Sequence, residues 1–283
     1  MSTLISVKPP QYQFLVFTSA GNYAQVSRWC QGNINFDLWI TYYGNEENKY
    51  QEYATYWNAR KGTKFPNLLY IYQQYPELLD RYQAIWVADD DVIISGSDIS
   101  RLFELREQYD LWITQPAFDP LGKISFDITC VQPLKRLRYT NFIEVTCPLF
   151  RKDKLDQFME IYNPELVGYG IDAWFLDTLY QGETSKIAII DDVPCTNPYD
   201  FVKDGIREID KIQSLQDRIA TFNKIRQQYN IIWNYRSIRQ FKSIAKPWDL
   251  TNLFYALKVW GIHYSKKVIR PLFRVVKNLR RKF

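Results

Sequence analysis

The chain has 283 residues, 46% of them hydrophobic and 17% aromatic, enough apolar matter for one large α/β domain with at most a small appendage. Its net charge of +5 is unevenly placed: from residue 250 onward there are nine Lys or Arg and no acid, so the first 249 residues carry 27 basic against 31 acidic side chains and nucleic-acid binding is excluded as an expectation. No stretch of about 18 apolar residues and no secretory leader pattern is found, and Cys30, Cys130, Cys147 and Cys195 are too widely spaced for a zinc site, so the expected location is cytoplasmic with free thiols.

In chain order, Tyr12 to Thr18 reads as a first strand, followed by the small turn Ser19-Ala20-Gly21-Asn22 and a helix to about Cys30. Such a turn brings backbone N–H groups close to a phosphate. Phe36 to Tyr43 is a second strand, Glu46 to Trp57 a helix, Arg60 to Asn67 a basic loop in which Lys61 and Lys64 could pair with a diphosphate, and Leu68 to Tyr72 a third strand. A short helix around Glu77 to Tyr82 leads to Ala84-Ile85-Trp86-Val87-Ala88, an apolar run ending in Asp89-Asp90-Asp91. The run reads as a strand buried on both faces. Its acids fall at the carboxyl end, where open α/β sheets bind ligands. Either the three form a solvated turn, or Asp89 and Asp91, projecting to the same side, hold a divalent cation.

Ser97-Asp98 is expected to cap a helix with Ile99, Leu102, Phe103 and Leu105 on one side. Leu111 to Thr114 reads as a fifth strand, Gln115 to Pro120 as an extended loop, and Ile124 to Cys130 and Phe142 to Phe150 as strands. Glu144 lies within the latter run, so it is either paired or functional. Lys154 to Tyr162 is a helix. Gly168-Tyr169-Gly170-Ile171-Asp172 opens another, with Asp172 either an N-terminal cap or a working carboxylate whose pKa the helix start lowers. Ile187 to Ile190 is a last strand ending at Asp191, and the pattern is helical beyond residue 205. His263, the one histidine, is expected at the surface. Pro271 starts a basic amphipathic segment with Leu272, Val275, Val276, Leu279 and Phe283 on one face. That segment either packs on the domain or lies on an anionic membrane.

Together these pieces resemble glycosyltransferases of the GT-A fold. Lys61 to Leu68, Asp89 to Asp91, Thr114 to Ala117, Phe142 to Val145 with Pro148, and Gly168 to Asp172 resemble the family called domain of unknown function 707, over roughly residues 10 to 200. The resemblance implies a Rossmann-like nucleotide-binding sheet with helices on both faces over 10–200; the pattern beyond it reads as a helical basic C-terminal extension over 205–283. It implies transfer of a sugar from a nucleotide diphosphate sugar to a glycan or lipid-linked acceptor, assisted by manganese or magnesium. Donor contacts would fall at Thr18, Ser19, Ala20, Lys61, Lys64, Asp89, Asp90 and Gln115, metal ligands at Asp89, Asp91 and Cys195, and the base at Asp172, as in inverting members. Cys195 stands where similar sequences carry a His, and a thiolate is a soft ligand for such a metal. A non-catalytic nucleotide- or sugar-binding protein and another metal-dependent nucleotidyl or phosphoryl transferase are the alternative functions. Residues 266–283 would supply a peripheral contact with an anionic membrane.

Overall fold

A computed structural model describes residues 4–199, 208–247, 251–263 and 265. Ten strands form one mixed sheet in the order β1-β4-β3-β2-β5-β8-β6-β9-β7-β10. Its first half holds β2 (Phe14–Ala20), β3 (Asp37–Tyr42), β4 (Tyr56–Ala59) and β5 (Ala84–Asp89), all mutually parallel, with the short β1 (Ile5–Ser6) antiparallel at the edge. The second half holds β6 (Ile113–Phe118) parallel to β9 (Ile187–Cys195), with β8 (Leu149–Arg151), β7 (Lys135–Thr140) and β10 (Gln240–Ala245) antiparallel to their neighbours.

Every residue of β2 is buried, and alternation sends its side chains into two different cores. Leu15 and Phe17, with Ile85 and Val87 of β5, enter one core against α2 (Lys64–Gln74), α5 (Lys152–Met159), α6 (Ile171–Tyr180) and α8 (Leu215–Gln228). Phe14 and Val16, with Trp86 and Ala88, enter the other against α1 (Val26–Trp29) and α4 (Gly96–Gln108). Helices therefore cover both faces, and the continuous apolar runs of β2 and β5 are the consequence.

Several expected elements are exchanged. Leu68 to Tyr72 is not a strand but the middle of α2, which buries Phe65, Leu68, Leu69 and Ile71 at helical spacing. Pro66 is tolerated because it falls in the first turn, where its missing N–H has no intrahelical partner to lose. The expected helix over Glu46 to Trp57 is a loop with one 3-10 turn, Gln51–Tyr53, running into β4. Short apolar runs carry no period that separates the two states. Helix α4 is capped by Ser95, not by Ser97-Asp98: the Asp98 N–H donates to Ser95 Oγ at 3.1 Å and the Ser95 hydroxyl donates back to Asp98 Oδ2 at 2.6 Å. Ile124 to Cys130 is bends and one 3-10 turn, and of Phe142 to Phe150 only the last two residues are strand. The segment after residue 205 is not wholly helical, because β10 closes the sheet at β7 while α8 and the helical residues 251–263 contribute Phe222, Ile225 and Val259 to the first core. The amphipathic pattern from Pro271 lies outside the described residues.

Candidate active site

The carboxyl ends of β2 and β5 lie side by side, Ser19 opposite Asp89. A cleft of about 710 Å³ opens there, lined by the first turn of α2, the acid run, the loop of residues 144–146, the chain around Gly168, and side chains of α7 (Glu208–Ile212) and α8. It is the place expected for a ligand outside the carboxyl ends of parallel strands.

Lys64 organises one wall. It is only 8% exposed, and its ammonium meets Asp89 Oδ1 at 2.8 Å while donating to the carbonyls of Val145 at 2.7 Å and Thr146 at 2.8 Å. The Asp89 N–H also donates to Thr146 O at 2.8 Å, and the Val87 N–H to Pro148 O at 2.8 Å. The chain from Asn141 to Pro148 is apolar because it is buried. Its carbonyls are spent on Lys64 and on the end of β5 instead of on a regular ladder, which is why it is not a strand. Asp90 lines the cleft and accepts from the Gly21 N–H at 2.8 Å, fixing the turn after β2. Asp91 is half-buried at the cleft wall.

Glu144 is the buried acid of the set and lies near enough to Asp89 to feel its charge. It lines the cleft with 6% exposure. Its N–H donates to Gln115 Oε1 at 2.6 Å and its Oε1 accepts from the Thr146 hydroxyl at 3.0 Å, while Oε2 has no hydrogen-bond partner. Burial, and then the nearby Asp172 carboxylate, push its pKa up to about 7; the Thr146 and Ser125 hydroxyls oppose the rise. Asp172 is 4% exposed and sits behind the cleft wall, not on it. Its Oδ1 accepts from the Ala173 N–H at 2.9 Å and from the Tyr235 hydroxyl. Burial raises its pKa to about 6 against these bonds, so the expected lowering by the helix start is overturned: desolvation is the larger effect. Nor is Asp172 the cap. Gly170 holds that position at φ +91°, and a Cβ there would stand 2.3 Å from the Phe222 ring. Gly170→Ala is expected to cost more than about 2 kcal/mol, the sum of left-handed strain and an overpacked contact, measurable by denaturant unfolding. An unchanged midpoint would show that α6 and α8 can shift apart freely.

The other expected contacts divide. Ser19, Lys61, Lys64, Asp89 and Asp90 line the cleft. Lys61 spends its ammonium on the carbonyls of Tyr43 and Gly44 and on Asn45 Oδ1, so it ties two loops together at the rim. Thr18 and Ala20 are fully buried in the sheet, Thr18 donating to Ala88 O at 3.0 Å, and neither lines the cleft. Gln115 is likewise buried and acts on Glu144 through the bond above. Cys195 is not among the cleft residues; it is 2% exposed in the second core, its thiol beside that of Cys147. A register shift in β9 between its pairings with Pro116 and Ala117 interrupts the alternation, and beyond it Val193 and Cys195 face the same core as Ala188 and Ile190. Among the described residues, no three of His, Cys, Asp and Glu are grouped as metal ligands. Of the residues expected to hold a metal, Asp89 and Asp91 bring to the cleft carboxylate oxygens of the kind a magnesium or manganese ion takes together with substrate phosphates, and Asp90 and Glu144 bring two further carboxyl groups to the same cleft; the Cys195 thiol does not fit that ion in position or in softness. Lysines 123 and 211 and Arg218 also line the cleft, the last turned inward onto Asp210 at 2.7 Å. None of these three was expected, because they lie in segments without a motif.

No family model matches the chain, so the resemblance to domain of unknown function 707 is not supported, and no curated protein matches it. Among solved structures, the chain is similar to S. aureus TarS at TM-score 0.47 and 10% identity, over 73% of this chain and 43% of that one. It is similar to TarS 1–349 in complex with UDP at TM-score 0.44 and 10% identity, over 79% of this chain and 76% of that one. For TarS 1–349 in complex with UDP-GlcNAc the values are 0.45 and 11%, over 66% and 58%. The chain thus spans less than half the length of the first of these. Likeness at this level says nothing of chemistry, which is read from the side chains.

Proposed function

We propose that the chain transfers a glycosyl group from a nucleoside diphosphate sugar to an acceptor hydroxyl. The observation that carries this reading is the cleft itself: at the carboxyl ends of parallel strands, two carboxylates at Asp89 and Asp91 and the first turn of α2 share one wall with a buried carboxyl, Glu144, whose second oxygen lacks a partner. The first turn of α2 offers unpaired N–H groups and the positive end of the helix dipole to a diphosphate. Asp89 and Asp91 would hold a manganese or magnesium ion, which when bound neutralises charge on the leaving diphosphate.

Glu144, with a pKa of about 7, is the group suited to accept the acceptor's proton near neutrality. As that proton moves to Glu144, the acceptor oxygen bonds to the anomeric carbon and the bond from that carbon to the diphosphate oxygen breaks. The diphosphate departs with the electron pair. Asp172 supports Glu144 from behind: its charge disfavours the ionised Glu144, raising the basicity that a proton acceptor needs. The role first expected of Asp172 therefore passes to the carboxyl that reaches the cleft. This part of the proposal predicts that Asp172→Asn weakens turnover less than loss of Glu144 does.

Incubation with radiolabelled nucleoside diphosphate sugars and manganese tests the activity; release of nucleoside diphosphate with sugar found on water or an acceptor is the expected result. Asp91→Ala should abolish the manganese-dependent thermal stabilisation by nucleoside diphosphate in the same protein. Unchanged affinity by calorimetry in that variant would remove Asp91 from the donor site.

A further inference from the structure

Residues 251–263 form a helix that meets the domain with its small face. Ala256 and Val259 are buried, Val259 within the first core, and His263, half-buried and not at the open surface as expected, brings Nδ1 to 3.6 Å from Cys130 Sγ. The large side chains point the other way. Phe254 is 69% exposed, Leu257 55% and Trp260 50%. A spacing of three places them on one stripe roughly 120° wide, and Lys258 is exposed beside it. An aromatic and aliphatic stripe of this kind on an otherwise docked helix marks a surface that is covered in use.

The charge around it selects what covers it. The sequence from residue 250 onward has nine Lys or Arg and no acid; of these Lys258 lies on this helix beside the stripe, and the helix carries no acid that would repel an anionic surface. Aromatic and leucine side chains entering the acyl boundary while lysines and arginines meet headgroups is the pattern of an interfacial helix on anionic lipid, and Trp favours that depth. Among the described residues no helix is long and apolar enough to cross a membrane, so the contact is one of lying on the surface. We infer that residues 251–263 seat the protein on an anionic membrane through Phe254, Leu257 and Trp260. The expectation from sequence placed that contact at residues 266–283, outside the described residues; the exposed stripe precedes them and is independent of the chemistry in the cleft.

Vesicle sedimentation of the full chain tests this. Binding is expected to phosphatidylcholine vesicles carrying phosphatidylglycerol, weakened by salt, and not to pure phosphatidylcholine. The triple variant Phe254→Ser, Leu257→Ser, Trp260→Ser should lower the bound fraction at least about tenfold. Should that variant fold poorly by circular dichroism, a second measurement decides. Lipids brominated in the acyl chain should quench tryptophan fluorescence of the parent, and Trp260→Phe should remove most of that quenching. No binding to the anionic vesicles, equal binding by the folded triple variant, or equal quenching after Trp260→Phe would each overturn the inference. So would a dimer in solution that the triple variant dissociates, since the stripe would then belong to a second copy.

Discussion

Glu144→Gln is expected to lower glycosyl transfer by a factor of about 10² or more, the usual scale for removing a general base, while making the folded protein more stable at alkaline pH. The two effects share one cause. The folded pKa of Glu144 is raised from 4.5 to about 7. A raised carboxyl pKa means that the folded state binds the proton more tightly than the unfolded chain does. Its contribution to stability is therefore fully present below pH 4.5 and is lost as pH rises through about 7. Above that point the ionised, desolvated carboxylate destabilises the fold by on the order of 1–3 kcal/mol. Glutamine keeps the shape, the N–H bond to Gln115 and an oxygen for the Thr146 hydroxyl, but carries no charge. Turnover as a function of pH and unfolding at two pH values decide the matter. The ascending limb of turnover near pH 7 should vanish in the variant together with the alkaline loss of stability. A variant that is stabilised but fully active would leave Glu144 a merely tolerated buried acid, and one that is inactive but unfolded would make it structural.

What could be read from the chain beforehand follows the range of the interactions. The strands β2 and β5 were legible because burial on both faces leaves unbroken apolar runs, and the position of Asp89 to Asp91 followed from the strand they end. The exchange of strand and helix over residues 46–72 arose where apolar runs are too short to show a period, and where Pro66 disfavours a helical residue before it without forbidding a first turn. The site was less legible than the sheet. Lys64 finds Asp89 only because α2 crosses back to the strand end, Glu144 finds Asp172 through a turn with no repeat, and Tyr235 reaches Asp172 from 63 residues away. Glu144 did carry a local signal, an acid inside an apolar run, but that signal did not separate paired from functional; its place among the cleft residues and its unpartnered, buried Oε2 come from the fold. Cys195 misled because a motif position was carried over where the strand, past its register shift, turns the thiol into the second core.

Arg138→Met should cost about 3–5 kcal/mol, the scale for breaking a buried ion pair by removing one partner. Arg138 on β7 and Asp191 on β9 are 1% and 0% exposed in their side chains and meet through two bonds, Nε to Oδ2 at 2.8 Å and Nη2 to Oδ1 at 3.0 Å. The guanidinium also donates to the carbonyls of Ile128 at 2.7 Å and Cys130 at 3.0 Å, and Asp191 Oδ1 accepts from the Gln132 N–H at 2.7 Å. One pair thus holds two antiparallel strands and the irregular chain of residues 128–132, whose first three residues belong to the stretch 124–130 that the sequence pattern reads as a strand. Methionine fills the space of the side chain's stem but leaves a buried carboxylate with a single N–H partner and two carbonyls without donors, and each of those losses is a desolvation cost. The double variant Arg138→Met, Asp191→Leu removes the stranded charge as well and should recover most of the loss, since a buried pair is worth little net against apolar residues of similar volume. Denaturant unfolding of the two variants measures both quantities. If the single variant lost less than about 1 kcal/mol, Asp191 would have to be reached by water or protonated without strain. If the double variant were no better than the single one, the carbonyls of Ile128 and Cys130, not the carboxylate, would be the groups that require Arg138.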